Sequence, residues 1–143
     1  MDINSKSILE FLTPKKVTYF ISDKYTLRQA LEKFDAHKFT TVPIVDEMGK
    51  YVGTIAEGDL LRYIKKAEHF TLEEAEGIRI KELEIYRSYK PVKVSANMEE
   101  VFNLSIEQNF IPVIDDLGTY IGIIKRSDII RYLGLVIKDL VKK

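Results

Sequence analysis

The chain has 143 residues, of which 45% are hydrophobic and 31% charged, and its formal net charge is zero. A chain of this length and composition is expected to form one compact globular protein, which excludes an intrinsically disordered chain. Zero net charge argues against binding to nucleic acid through a strong overall positive field. Because the chain has no cysteine, disulfides, thiolate catalysis and cysteine metal sites are also excluded.

Only two histidines could offer imidazole ligands, and we expect structural or surface roles for both. His37 and His69 lie far apart in the sequence, and a zinc site built on them would lack its usual ligands. The N-terminus has no basic region followed by an apolar run, and no apolar stretch approaches the roughly 20 residues of a membrane-spanning helix. The sequence therefore predicts a cytoplasmic protein with no membrane partner and no metal.

The first half of the chain predicts a β-α-β-β-α unit behind a short lead-in helix. The lead-in helix spans residues 5–12 and ends before Thr13, because the residue that precedes a proline avoids the helical region. Residues 17–21 mix β-branched and aromatic side chains, as a strand does. Thr26 is a suitable N-cap for a helix over residues 26–38, whose apolar residues recur at helical spacing. The unit is completed by a strand at 41–46, a hairpin turn at Met48 and Gly49, a strand at 51–56 and a closing helix lined by Leu60, Leu61 and Ile64.

The second half repeats this order after a glutamate-rich segment at 69–85, which is predicted to be a helical connector. We expect its elements at 92–94, 98–108, 110–115, 120–125 and 127–141. A unit of about 55 residues buries too little surface to be comfortably stable alone, so the two sheets are expected to pack together. The predicted domains are residues 1–68 for the lead-in helix and first unit, 69–85 for the connector and 86–143 for the second unit.

The two halves are copies of one motif, since matching residues recur at a fixed offset of 69 positions. Residues 42–53 and 111–122 share proline, aspartate, glycine, tyrosine and glycine in the same order. The match continues through Asp59 and Asp128 to Leu60-Leu61-Arg62-Tyr63 and Ile129-Ile130-Arg131-Tyr132. This repetition predicts a mixed α/β (α+β) fold in which two β-α-β-β-α units are related by pseudo-two-fold symmetry.

On these residues the chain resembles a tandem pair of cystathionine β-synthase (CBS) domains, often called a Bateman module. In each copy the last strand runs into the family pattern of Gly, two apolar residues, Thr or Ser, two variable residues and Asp, at 53–59 and 122–128. The resemblance implies that an adenine-containing ligand, such as AMP, ADP, ATP, S-adenosylmethionine or cyclic di-AMP, binds in a cleft between the units. It also implies a flat homodimer that regulates a separate effector protein and needs no cofactor beyond this regulatory nucleotide.

Two aspartates in equivalent first helical turns are the predicted ribose ligands. Asp59 and Asp128 fall where a strand is followed by a helix, whose N-terminus presents unpaired N–H groups to a phosphate. A carboxylate there can accept two hydrogen bonds from ribose hydroxyls, and Gly53 or Gly122 can let a ligand approach the backbone closely. Alternatively, the aspartates stabilise the helix dipole without any ligand, and the ribose role follows from the family resemblance.

The chain departs from the family pattern at the Thr or Ser position, which is Ala56 in the first copy and Lys125 in the second. Ala56 offers no polar group, which makes the first copy a poor phosphate site. Lys125 and Arg126 could instead hold a polyphosphate or cyclic dinucleotide, the lysine as a point charge and the arginine as a fork. The alternative is that both are exposed basic residues on a turn.

The resemblance also implies a slot for the base, between the strand that contains the central proline and the first strand of each unit. Apolar walls with backbone N–H and C=O edges suit adenine, although most of these side chains would be core residues in any case. The predicted base contacts are Lys16, Val17, Thr41, Pro43, Val92, Phe110, Ile111 and Pro112.

The sequence offers no motif that predicts catalysis. It has no Walker-type glycine-rich loop and no nucleophile elbow, and the glutamates of the connector fit a solvated helix face. The leading hypothesis is a non-enzymatic switch, in which adenine nucleotide shifts the packing of the units or the dimer and so changes affinity for a partner. Two alternatives stay open: a ligand-independent dimeric scaffold, which Ala56 favours, and a small hydrolase or transferase whose turnover would be lost in Asp128→Ala.

Overall fold

The computed structural model describes residues 5–38, 40–68, 70–83 and 89–142. Over these residues the protein is a mixed α+β structure with five α-helices and two sheets. The elements in chain order are a 3-10 helix at Ile8–Phe11, β1 (Leu12–Pro14), a 3-10 helix at Lys15–Val17, β2 (Ile21–Ser22), α1 (Leu27–His37), β3 (Thr41–Val45), β4 (Tyr51–Ala56), α2 (Glu57–Lys66), α3 (Leu72–Glu76), a 3-10 helix at Ile80–Glu82, β5 (Val92–Lys93), α4 (Met98–Ser105), β6 (Phe110–Ile114), β7 (Tyr120–Lys125) and α5 (Arg126–Lys142).

These elements divide into two compact units. The first-repeat unit is formed by the described residues of Tyr19–Ser88, and the second-repeat unit by those of Met1–Thr18 and Tyr89–Lys143. Each unit contains one β-α-β-β-α motif, so the repeat predicted from the sequence is confirmed as a repeat of secondary structure. The predictions that concern His69 and residues 84–85 lie outside the described residues.

The first-repeat unit is built on a three-stranded sheet of order β2-β3-β4. Strand β3 pairs in parallel with β2 and antiparallel with β4. Helix α1 begins where predicted, because the Thr26 hydroxyl accepts from the Gln29 N–H at 3.1 Å and the Gln29 side chain accepts from the Thr26 N–H at 2.8 Å. This reciprocal cap satisfies two of the N–H groups that a helix start leaves open. The buried apolar residues of this unit include Ile21, Leu27, Ala30, Phe34, Val42, Ile44, Ile55 and Leu60.

The segment that the sequence predicts as a separate connector belongs to the core of the first-repeat unit. Ala75 and Ile80 are fully buried there. The Leu27 N–H donates to the Ile78 carbonyl, and the Ile80 N–H donates to the Tyr25 carbonyl, both at 2.8 Å. The boundary of the first compact unit therefore differs from that of the first predicted domain. The predicted connector belongs to this unit because its apolar side chains are buried against α1 and the loop that flanks it.

The second-repeat unit has a four-stranded sheet of order β1-β7-β6-β5. Its parallel and antiparallel pairs repeat those of the first sheet, and both hairpins carry an irregularity at the equivalent place, between Ile44 and Val45 and between Val113 and Ile114. The buried core of this unit consists of Ile8, Val92, Met98, Val101, Ile111, Val113, Ile124 and Ile129.

Strand β1 is the main difference from the predicted elements. The strand predicted at 17–21 is wrong: Lys15–Val17 forms a 3-10 helix and only Ile21–Ser22 is a strand there. Instead, Leu12, Thr13 and Pro14 pair antiparallel with Ile124, Ile123 and Gly122 of β7. Proline is tolerated in this strand because β1 is the edge strand of the sheet. One side of an edge strand has no neighbouring strand, so a backbone N–H is not needed there. The N-terminal segment therefore completes the sheet of the second repeat.

Aspartate residues close both hairpins in the same way. The Asp115 carboxylate accepts from the N–H groups of Thr119 at 2.9 Å and Leu117 at 2.8 Å, and these bonds hold its pKa below the ordinary value. The Asp46 carboxylate accepts from Met48 and Lys50 at 2.9 Å. A short acidic side chain that bonds to the backbone two residues ahead mimics a turn, which explains why aspartate recurs at this position of the repeat.

Because of Tyr120, the free energy of unfolding is expected to depend on pH in the alkaline range. Its side chain is buried, which raises its pKa to about 12, while a 2.9 Å hydrogen bond with the Thr18 hydroxyl offsets part of the rise. An unfolded tyrosine ionises near pH 10, so between about pH 10 and 12 the folded chain holds a proton that the unfolded chain has lost. The free energy of unfolding should therefore fall by about 1.4 kcal/mol per pH unit in this window because of this residue.

Urea denaturation across this pH range should show a shallower fall for Tyr120→Phe than for the parent. Ultraviolet titration should show one of the eight tyrosines ionising after the others, and that late step should vanish in Tyr120→Phe. The control is Tyr19→Phe, which removes a ring that is 57% exposed and should leave the late step in place. Simultaneous ionisation of all tyrosines in the folded parent would show that Tyr120 is not buried as described.

Candidate functional site

Asp128 lies at the point where the last strand of the second repeat meets its helix. Strand β7 ends at Lys125, α5 begins at Arg126, and Asp128 occupies the first helical turn. Its carboxylate accepts from Arg131 Nη1 at 2.8 Å, and its side chain keeps 31% of its surface exposed. The carboxylate is therefore ordered by a neighbouring cation and still accessible to a ligand.

Asp128 opens into a pocket of about 350 Å³ that is contained within the second-repeat unit. One wall is the start of α5, with Asp128, Arg131 and Tyr132. The opposite wall is the N-terminal segment, which reaches Asp128 because β1 pairs with β7. The Phe11 and Tyr132 rings meet edge to face with centroids 5.1 Å apart. The full lining is Glu10, Phe11, Leu12, Thr13, Asp128, Arg131, Tyr132 and Leu135.

Besides Arg126 and the residues of β6 and β5, four of the predicted ligand residues in this unit lie beside or at the end of β7, namely Lys16, Val17, Lys125 and Asp128. The 3-10 helix that contains Lys16 and Val17 packs against β7, at whose end Lys125 is exposed. Lys16 is also exposed, and Val17 leaves 62% of its surface open. The unit therefore presents these groups at the two ends of β7: Lys125 and Asp128 follow its C-terminal end, and Lys16 and Val17 lie towards its N-terminal end, where the Thr18 hydroxyl bonds to that of Tyr120.

Arg126 has a structural partner. Its Nε donates to the carbonyls of Ser105 at 2.8 Å and Gln108 at 3.1 Å. Ser105 is the last residue of α4, where the C=O groups of a helix lack partners within it, and Gln108 lies in the segment that follows. Arg126 thus closes α4 against α5, and the role predicted for it as a phosphate fork stays a prediction.

Asp59 is the repeat equivalent of Asp128, but its surroundings differ. Its side chain is buried, one carboxylate oxygen accepts from the Ala56 N–H at 2.8 Å, and the other pairs with Arg62. The first of these contacts satisfies the backbone N–H of Ala56, the N-cap residue of α2, whose own side chain makes no capping hydrogen bond. The structure therefore supports the ligand-free alternative for Asp59, in which the carboxylate stabilises its own helix.

The residues predicted to line the base slot are largely core residues. Ile111 and Val92 are buried in the second-repeat sheet, and Phe110 is buried with its ring 5.1 Å from that of Tyr89. Pro43 and Pro112 are also buried, and Thr41 is half-buried. Any contact of the buried members with a base would have to use their backbone. The pair Lys16 and Val17 falls in a different compact unit from Thr41 and Pro43, and these base contacts stay predictions.

Gly122 makes a close approach, but to the protein itself. Its φ is +153°, and a Cβ at this position would overlap the carbonyl oxygen of Thr13 and lie 2.9 Å from Leu12 Cδ1. Glycine is needed here because β1 runs directly across it. The close ligand approach predicted for Gly122 is therefore corrected: this space is taken by the N-terminal strand.

Sequence reasoning did not identify Thr13, Arg131 and Tyr132 as pocket residues. A signal for two of them was present, because Arg62-Tyr63 and Arg131-Tyr132 match in the repeat, and each arginine pairs with the aspartate three residues before it. Thr13 carries no such signal, since its place depends on the pairing of β1 with β7. In the part of the chain that the structure describes, no cluster of metal-ligating side chains is found, and no helix has the length and apolarity to cross a bilayer.

Comparison with known proteins places this geometry in a family. The curated relatives include the chloroplastic CBS domain-containing protein CBSX2 of Arabidopsis thaliana, which is 26% identical over 145 residues. That alignment covers 85% of this chain, and the chain spans 61% of the length of the relative.

Solved structures show the same fold. The structure of CbpB in complex with c-di-AMP has a TM-score of 0.85 at 23% identity, covering 97% of this chain and 91% of that one. CBSX2 in complex with AMP has a TM-score of 0.69 at 26% identity, covering 92% of this chain and 98% of that one. The CBS domain family model matches residues 10–66 and 80–135, which confirms the tandem pair predicted from the repeat. Since these two regions make up most of the sequence, the chain belongs to the CBS domain family.

Proposed function

We propose that the protein is a non-enzymatic regulatory module that binds one adenine nucleotide per chain at Asp128. The observation that carries the proposal is the partly exposed Asp128 carboxylate beside a pocket in the second-repeat unit, in contrast to the buried and internally satisfied carboxylate of Asp59. The similar CBSX2 structure, at 26% identity, holds AMP. AMP is therefore the first ligand to test, followed by ADP, ATP and the c-di-AMP that CbpB holds.

The chemistry of the residues near Asp128 supports a nucleotide. The carboxylate can accept from both ribose hydroxyls, and charge-assisted hydrogen bonds of this kind are stronger than neutral ones. The start of α5 offers backbone N–H groups and a partial positive charge to a phosphate, and the exposed Lys125, the last residue of β7, adds a full charge next to that helix start. The lining of the pocket beside Asp128 also includes the apolar side chains of Leu12 and Leu135 and the Tyr132 ring, which offer a surface for the base.

This site would couple ligand binding to the N-terminal strand. Thr13 lines the same pocket as Asp128 only while β1 is paired with β7. A ligand that contacts both walls binds the paired state better than an unpaired one, and it shifts the equilibrium by that difference in affinity. We infer that nucleotide orders the N-terminal segment, and that a separate effector protein reads this change. The effector, a homodimer and the cytoplasmic location are predictions that follow from the resemblance and the sequence.

Isothermal calorimetry of the parent chain against AMP, ADP, ATP and c-di-AMP tests the proposal. We expect saturable binding with a stoichiometry of about one mononucleotide per chain. Thermal stability should rise with ligand, since a ligand at 100 times its dissociation constant adds about 2.7 kcal/mol when it binds only the folded state. Flat titrations with all four ligands would contradict the proposal, and a stoichiometry of two would show that the site at Asp59 is also used.

A second function, that of a ligand-independent scaffold, is favoured by one observation, namely that the Asp59 carboxylate is already used within its own helix. Effector capture from a lysate with and without AMP separates the two functions. A scaffold would capture its partner equally in both conditions, whereas a nucleotide switch would not.

A further inference from the structure

One residue joins the start of α5 to the end of α4. The Arg126 Nε–H donates to the carbonyls of Ser105 at 2.8 Å and Gln108 at 3.1 Å, and the Arg126 backbone N–H donates to the Asn109 carbonyl at 3.0 Å. Arg126 is half-buried, and a cation is favoured at a helix C-terminus because the partial charge there is negative. The first residue of α5 is therefore held by both its main chain and its side chain.

The acceptor side of this contact is itself fixed. Gln108 is buried, and its side-chain oxygen accepts from the Lys90 N–H at 2.8 Å. Its side-chain nitrogen donates to the carbonyls of Lys90 at 3.2 Å and Phe110 at 3.3 Å. Lys90 precedes β5, and Phe110 is the first residue of β6. A buried polar group with satisfied hydrogen bonds is rigid, so the Gln108 carbonyl is a fixed point of the sheet to which Arg126 attaches α5.

The first repeat keeps the main-chain bond but has a different side chain at this position. Glu57 is the repeat equivalent of Arg126, and its N–H donates to the Thr40 carbonyl at 2.9 Å. An ionised carboxylate accepts hydrogen bonds and cannot donate to a carbonyl, and Glu57 is exposed. The side-chain contact therefore belongs to the repeat whose aspartate lies beside a pocket.

We propose that Arg126 is a positioning residue for the Asp128 site and not a phosphate ligand. This role rests on the proposed function. Asp128 follows two residues later in the first turn of α5, so the place of its carboxylate depends on where the helix begins. Because the Arg126 Nε–H is used by protein carbonyls, the guanidinium edge that contains it is not free for a bidentate phosphate contact. The neighbouring and exposed Lys125 is then the cation that would meet the phosphate.

Calorimetry with AMP and adenosine separates positioning from phosphate contact, because only AMP carries a phosphate. Arg126→Ala should weaken the binding of both ligands by the same factor, about 10-fold, which corresponds to about one hydrogen bond. Lys125→Ala should weaken AMP by a similar factor and leave the affinity for adenosine within about 2-fold of the parent. The matched control is Glu57→Ala, which changes the equivalent residue of the first repeat and should leave both affinities unchanged.

Arg126→Gln gives a more specific test. The side-chain amide nitrogen of glutamine is as many bonds from Cα as Nε of arginine, so it can donate to the same carbonyls without a positive charge. Arg126→Gln should therefore recover the binding of both ligands that Arg126→Ala loses. In the ligand-free chain, amide hydrogen exchange at residues 129–131 should be faster in Arg126→Ala than in the parent and close to parental in Arg126→Gln.

The possible outcomes distinguish this role from the proposed function. If Arg126→Ala weakens AMP but not adenosine, and Arg126→Gln is equally weak, the arginine contacts the phosphate and the proposal is wrong. Parental affinity of Arg126→Ala for both ligands would also overturn it, while leaving the nucleotide site at Asp128 intact. A parent chain that binds neither AMP nor adenosine would refute the nucleotide site itself, and with it any positioning role for Arg126.

Discussion

Replacing Gly122 with alanine is expected to lower the free energy of unfolding by about 3 kcal/mol or more. The added Cβ would overlap the carbonyl oxygen of Thr13 and crowd Leu12 and Pro14, so β1 has to move away from β7. Overpacking of a filled site and an unfavourable positive φ each cost about 1–3 kcal/mol. The loss is a large part of the 5–15 kcal/mol that stabilises a typical domain.

Urea denaturation, with amide hydrogen exchange at Thr13 and Ile124, measures this effect. Protection in the β1–β7 pair should fall more than protection in the β6–β7 pair. The matched control is Gly134→Ala in the middle of α5, where nothing lies within 4 Å of an added Cβ. That substitution should stabilise the protein by about 0.5–1 kcal/mol, because alanine favours the helix. Parental stability in Gly122→Ala would mean that β1 does not cross this glycine.

The two equivalent aspartates should respond in opposite ways to the same substitution. Asp59→Ala should cost about 1–3 kcal/mol of stability, since it leaves the Ala56 N–H without its acceptor and Arg62 without its partner. Asp128→Ala removes a pair whose arginine is 71% exposed and should cost at most about 1 kcal/mol. Asp128→Ala should instead weaken AMP binding by roughly 10–100-fold, the value of one or two charge-assisted hydrogen bonds.

Thermal denaturation and calorimetry of both variants separate these effects. Asp59→Ala should melt earlier but bind AMP with parental affinity at a temperature where it is folded. Asp59→Asn serves as a control, because the amide oxygen can still accept from the Ala56 N–H and should restore part of the stability. Weaker AMP binding in Asp59→Ala, with parental binding in Asp128→Ala, would place the ribose at the first repeat and contradict the proposed site.

The two aspartates occupy equivalent positions of the sequence repeat, but their surroundings in the structure differ. Both aspartates have an arginine three residues later, and both fall in the first turn of a helix. The start of α5 lies beside the N-terminal strand β1, and Asp59 is buried whereas Asp128 is partly exposed. An electrostatic role within the helix and a binding role compete for the same carboxylate, and the degree of burial decides between them.

The amino-acid sequence by itself determined the order of elements within each repeat, the repeat itself and the family. These depend on local patterns: helical spacing from Leu27 to Phe34, the Thr26 cap, the turn-forming Asp46 and Asp115, and strands β4 and β7, whose bounds were predicted residue for residue. Such local structure can be predicted without coordinates because the interactions that cause it join residues close in sequence. The match between the two copies is visible in the sequence itself.

The tertiary structure alone decided where the N-terminal segment pairs and which predicted ligand residues remain accessible. The contact of Thr13 with Gly122 joins residues more than a hundred positions apart, and local patterns carry no information about such pairing. The same long-range packing buries Asp59, engages Arg126 at the end of α4 and leaves Asp128 beside a pocket. Whether a side chain is accessible depends on the residues packed around it. Many of these residues come from distant parts of the sequence and reach it only in the folded protein.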